Sequence, residues 1–108
     1  MESSHSATVS ELLGLIPYLE IAHHVPGRVR LRISLSGLGA VRNIDLQALV
    51  LSIPGVLSIR VNASARSVVI EYNQQQLPYE LWETVKRLKS QPELTPQFAN
   101  RLSALWDR

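Results

Sequence analysis

The stretch Gly27-Arg28-Val29-Arg30-Leu31-Arg32-Ile33 decides the fold. Apolar and arginine residues alternate in it without a break, the period-two signature of a strand with one face in a core and the other in water. Val29, Leu31 and Ile33 therefore point inward, and Arg28, Arg30 and Arg32 form a row on the opposite face. Residues 18–24 can lengthen this strand on its N-terminal side, with an interruption at Pro26. On its C-terminal side, Ser36, Gly37 and Gly39 read as a loop.

Asn43 or Asp45 can cap a helix in which Leu46, Leu49, Val50 and Ile53 recur on one face before Pro54-Gly55 ends it. Residues 56–61 and 67–72, rich in β-branched side chains and separated by the polar stretch 62–66, read as a hairpin. Leu77-Pro78 opens a further helix with Leu81, Val85 and Leu88 on its apolar side, acids early and bases late, as the helix dipole favours. Thr95-Pro96 starts a last helix carrying Phe98, Leu102, Leu105 and Trp106. Near the N-terminus, Thr8 and Glu11 have capping-box spacing, which predicts a short helix over residues 9–16 that stops at Pro17. The order gives an α+β fold: a βαββα core with an antiparallel sheet, both core helices on one face, and extra N-terminal and C-terminal helices. The division is residues 1–17 as a polar start and short helix, 18–90 as the domain, and 91–108 as an amphipathic helix. No final strand follows the second core helix, so the sheet has three strands or borrows a fourth from residues 18–23 or another chain.

A chain of 108 residues with 45% hydrophobic and 19% charged residues can build one core. The absence of cysteine excludes disulfides, thiolate metal sites and cysteine nucleophiles. No apolar run reaches the roughly 20 residues of a membrane helix, and the start is not a secretory signal, so a cytoplasmic protein is expected, with the membrane periphery as an alternative. The net charge of +2 is unevenly spread: residues 21–70 hold six arginines and one acid, and the rest holds five basic residues and eight acids. The middle of the chain is therefore the part suited to an anionic partner.

Three features resemble the heavy-metal-associated domain family. They are the Val25-Pro26-Gly27-Arg28-Val29-Arg30-Leu31-Arg32-Ile33 strand, the Ile53-Pro54-Gly55-Val56 turn into Ser58-Ile59-Arg60-Val61-Asn62, and the Ser67-Val68-Val69-Ile70-Glu71-Tyr72-Asn73 strand. The resemblance covers about residues 25–90 and is to a cysteine-free, divergent branch found in bacterial metal-transporting P-type ATPases and in small separate proteins. It implies a ferredoxin-like fold and an association with metal transport or storage, iron among the metals, with a P-type ATPase as a possible protein partner. The family's Cys-x-x-Cys metal site is missing, because the matching loop Ser34-Leu35-Ser36-Gly37-Leu38-Gly39-Ala40 has no thiolate, imidazole or carboxylate.

The candidate site for a protein partner or anion is Arg28, Arg30 and Arg32 with Arg60 on a neighbouring strand, since guanidinium forks match carboxylate and phosphate oxygens. A plainer role for these arginines is to keep a half-exposed sheet soluble. Residues 21–71 contain no aromatic on which a base could stack, which disfavours nucleic acid. Phe98, Leu102, Leu105 and Trp106 are a second candidate, either core or an interface with a partner or a second copy. His23-His24 is the one pair that could ligate a transition metal. Adjacent strand residues face opposite ways, so shared ligation needs a bend near Pro26 and a third ligand from His5, Glu20 or another chain. A structural role for the pair, and no cofactor, is the stronger expectation. Gly27-Arg28-Val29 and Val41-Arg42-Asn43 also resemble the acylphosphatase motifs, but only eight residues separate Ser34 from Asn43, where that family places a whole helix. The reading is a non-enzymatic docking or regulatory module. Its alternatives are an electrostatic binder of anionic membrane or nucleic acid, and a self-associating structural protein.

Overall fold

Antiparallel pairing on both sides makes the arginine strand an interior member of the sheet. The computed structural model describes residues 5–41 and 44–107. Strands β1 (Leu19–Val25), β2 (Arg28–Ile33), β3 (Val56–Asn62) and β4 (Ser67–Tyr72) form a four-stranded antiparallel sheet in the order β1-β2-β4-β3. The helices among the described residues are α1 (His5–Leu15), α2 (Gly37–Val41), α3 (Leu46–Leu51), α4 (Tyr79–Leu88) and α5 (Thr95–Ala104). None of them is long and apolar enough to cross a membrane. Because β4 lies between β2 and β3 and opposes both, β2 and β3 run parallel, joined by the segment that carries α2 and α3.

The alternation in β2 holds residue by residue: Val29, Leu31 and Ile33 are buried and Arg28, Arg30 and Arg32 exposed. Val29 is 0% exposed, and Val68 and Ile70 of β4 are 1% exposed, the tightest part of the core. Each such side chain contributes roughly 1.5–3 kcal/mol by leaving water. Val50, Leu77, Leu81 and Leu88 close over that face from the helical side, as do Val9 of α1 and Phe98, Leu102 and Leu105 from the C-terminal segment. The helices thus lie on one side of the sheet. α1 packs against α5, so the segments before residue 18 and after residue 90 share the core of the strands. A cavity of about 90 Å³ with almost wholly apolar walls remains between sheet and helices, lined by Leu31, Val50, Val68, Trp82, Val85 and Phe98 among others.

The fourth strand comes from the N-terminal side. β1 turns into β2 through Pro26-Gly27, with Gly27 at φ +85°, a left-handed conformation that glycine adopts without a Cβ penalty. Gly55, at φ +96° before β3, has a second constraint, since a Cβ there would lie 2.9 Å from Leu77 Cβ. Three sequence expectations need correction. α1 begins at His5 and runs through Thr8, so Thr8 is not its cap. The stretch read as a loop at Ser36, Gly37 and Gly39 winds into α2, a helix of five residues opened by the Gly37 N–H bonding to Ser34. α3 stops at Leu51, and its end tightens through Ser52 N–H to Ala48 O and Ile53 N–H to Val50 O. Asp45 is its cap, accepting from the Ala48 N–H at 3.1 Å, while Asn43 lies outside the described residues.

Candidate functional site: the outer sheet face and the His24 network

Register places the outward side chains of the sheet in three rows. The first is Val25, Arg28, Glu71 and Ser58; the second is His23, Arg30, Val69 and Arg60; the third is Glu20, Arg32, Ser67 and Asn62. Neighbouring strands are about 4.8 Å apart and successive outward residues about 6.8 Å apart along a strand. The four arginines therefore stand on one face, with Arg30 and Arg60 about 10 Å apart at the backbone on either side of Val69. All four are exposed, and among the described residues no carboxylate lies within 4 Å of any of their guanidiniums.

The outer rows each carry one acid, Glu71 beside Arg28 and Glu20 beside Arg32. Glu71 is further engaged by the Ser58 hydroxyl, which donates to its Oε1 at 2.9 Å. Neither acid closes a salt bridge with its arginine, so each softens the positive potential of its row without neutralising it. The middle row has no acid. Uncompensated positive charge is therefore concentrated at Arg30 and Arg60, a narrower site than three alternating arginines suggest.

The two histidines are separated by the sheet. A bulge between Ile21 and His23 shifts the phase of β1, so that His23 opposes Arg30 on the outer face and His24 opposes Val29 on the inner face. The His24 side chain is 0% exposed, with Nδ1 2.7 Å from Glu83 Oε2 and Nε2 2.6 Å from the Tyr72 hydroxyl. Its ring stacks on Tyr79 at a centroid distance of 4.0 Å, and Trp82 meets it edge-on at 6.3 Å.

The partners assign the tautomer. Burial, the main cause, pushes the Tyr72 phenol up from its ordinary value, and the Glu83 carboxylate adds to this, so Tyr72 keeps its proton and donates it to Nε2. The Nδ1–H then donates to Glu83, and this bond holds the Glu83 carboxyl below its ordinary value, with Lys86 assisting at 3.2 Å. Carboxylate, imidazole and phenol form an unbroken chain, but it ends on a tyrosine only 3% exposed. The chain fastens β1 to α4 and presents no nucleophile to solvent.

This geometry bears on the metal alternative for the histidine pair. Both ring nitrogens of His24 are occupied, His23 lies on the other side of the sheet, and the side chain of His5 lies outside the described residues. Among the described residues no group of three or more His, Cys, Asp or Glu is placed to hold a metal ion. Of the two readings of the last helix, the burial of its side chains favours the core one. Phe98, Leu102 and Leu105 are 5%, 6% and 4% exposed in the core, and Trp106 packs against them half-buried, so these side chains are spent on the chain's own packing. The sequence reading missed Tyr72, Tyr79 and Glu83 as partners of His24. The available signal was a histidine beside an apolar face, since a buried imidazole must find hydrogen-bonding groups.

No family model, curated protein or solved structure matches this chain.

Proposed function

We propose that this chain is a binding module that docks an acidic protein surface through the outer face of its sheet, with Arg30 and Arg60 at the centre of the contact. One observation carries the reading: the four arginines share one face of the sheet, among the described residues none is in an ion pair, and the two of the middle row have no acid in that row. Guanidiniums held about 10 Å apart on a rigid sheet engage two separate carboxylates, each by a two-pronged hydrogen bond. The strand order supports a ferredoxin-like core in which β1 occupies the edge position that a C-terminal strand takes in that fold. Together with the resemblance of residues 25–90 to heavy-metal-associated domains, it favours work beside metal transport or storage, with a metal-transporting P-type ATPase as the candidate partner. Docking, and not catalysis or metal carriage, fits a basic face coupled to a histidine sealed in the core.

Titration with polyglutamate over a range of salt concentrations tests this. Affinity falls as salt rises, and Arg30→Glu and Arg60→Glu each weaken it by about tenfold. Salt-independent binding, or unchanged binding by both variants, overturns the reading. Tighter binding to phosphatidylserine vesicles or to single-stranded nucleic acid than to polyglutamate assigns the face to those polyanions and overturns it as well.

A further inference from the structure

The sheet has two edges, and they differ. β1 is interrupted by its bulge, carries Glu20 and is closed at one end by Pro26. β3 runs for seven residues, Val56-Leu57-Ser58-Ile59-Arg60-Val61-Asn62, with no proline, glycine or lysine; its own irregularity falls at Leu57, near its start, and leaves Ser58 to Asn62 in unbroken register with β4. Natural edge strands are usually blunted by such residues, because a row of open N–H and C=O groups is a template for another strand. Among the described residues, the far side of β3 receives no strand. Apolar side chains are exposed along it: Leu57 is 66% exposed, Val61 40%, and Leu51 of α3, the helix packed on β3, 49%.

We infer that two copies of this chain pair through β3, antiparallel and centred on Ile59, into one eight-stranded sheet. Pairing a strand with its own copy in this sense puts a two-fold axis at one residue. An axis at Arg60 would oppose two like charges, which is destabilising. An axis at Ile59 opposes Ile59 to itself, Leu57 to Val61, and Ser58 to Arg60. The exposed apolar residues then cover one another.

The charges also match across this axis. Arg60 of the second copy continues the row of Arg28, Glu71 and Ser58, with only the small Ser58 side chain between it and Glu71. The backbones of Arg60 and Glu71 stand about 10 Å apart in that row, a gap that an arginine and a glutamate together span. Symmetry makes the contact twice. The Glu71 carboxylate, already oriented by the Ser58 hydroxyl at 2.9 Å, receives a cation from the neighbouring copy. The arginine faces of the two copies then form one surface. This pairing does not depend on what binds that surface.

Sedimentation equilibrium of the whole chain, up to about 1 mM, tests the pairing at the weak affinity expected of a small edge interface. A monomer–dimer equilibrium is expected. Arg60→Glu and Glu71→Arg each weaken it by about tenfold, and the double variant recovers most of the loss. Leu57→Lys with Val61→Lys abolishes association while leaving all four arginines for polyglutamate binding, so the docking reading is tested separately on the same protein. A monomer at every concentration overturns the pairing. A dimer indifferent to the single charge reversals, or one that the double variant fails to restore, overturns it too.

Discussion

His24 Nδ1 lies 2.7 Å from Glu83 Oε2, a bond that ties the edge strand β1 to helix α4 across the width of the core. β1 has a neighbour on one side only, so it depends on this cross-layer bond more than an interior strand would. The imidazole is fully occupied, stacked on Tyr79 and hydrogen-bonded at both nitrogens.

The two adjacent histidines should respond oppositely to truncation. His23→Ala removes an exposed side chain and changes stability by less than about 0.5 kcal/mol. His24→Ala leaves Tyr72 unpaired and a gap against Tyr79, at a cost of about 2–4 kcal/mol. Urea unfolding measures both, and equal effects would contradict the separation by the bulge. Zn(II) should leave the transition of the unsubstituted chain unmoved.

Acid should weaken the fold through Glu83. Its carboxyl is held below the ordinary value of 4.5, mainly by the His24 hydrogen bond. The resulting stabilisation is fully present above that value and is lost as pH falls through the lower value of the folded state. Denaturation midpoints measured from neutral to acid pH follow this loss. Glu83→Gln should lower stability at neutral pH and flatten that part of the profile.

Alkali should act through Tyr72 in the opposite sense. Its phenol is raised above 10.0 by burial, so its contribution is complete below that value and declines as pH rises past it. Tyr72→Phe should remove the alkaline decline. At neutral pH it should cost about 1–3 kcal/mol, because His24 Nε2 is left buried without a donor. An unchanged alkaline limb in Tyr72→Phe would show that another group controls it.

The cavity between sheet and helices can take one more methylene. Val50→Leu should raise stability by up to about 1 kcal/mol, read as an increase in thermal midpoint. Ile70→Ala, at a wall that is 1% exposed, should lower it by about 2–5 kcal/mol. A drop in midpoint for Val50→Leu would mean that the helices do not yield around the added group.

The strands were legible because their burial has period two: Arg28 to Ile33 can alternate in only one way, and that alternation also set the outward row of arginines. The bulge in β1 was not legible. Leu19, Ile21 and His23 continue one parity, and the extra residue at Ala22 reverses which histidine enters the core without leaving a mark in composition. Glu83 stayed hidden for a related reason. On α4 it reads as a first-half acid suited to the helix dipole, and only the tertiary fold brings it to an imidazole fifty-nine positions away. The last helix left two readings open, since an amphipathic stripe looks the same whether it packs on its own sheet or on a partner. Its packing against α1 and the sheet favours the first.

The source of the fourth strand also bears on how the chain folds. With β1 joined to β2 by a two-residue turn, and β3 to β4 by a short one, both outer pairings form between near neighbours in sequence. Only the seam between β2 and β4, where Arg32 meets Ser67 across all of α2, α3 and β3, must close over a long span. The sheet is two hairpins meeting once, and among its strand pairings that encounter closes the longest loop.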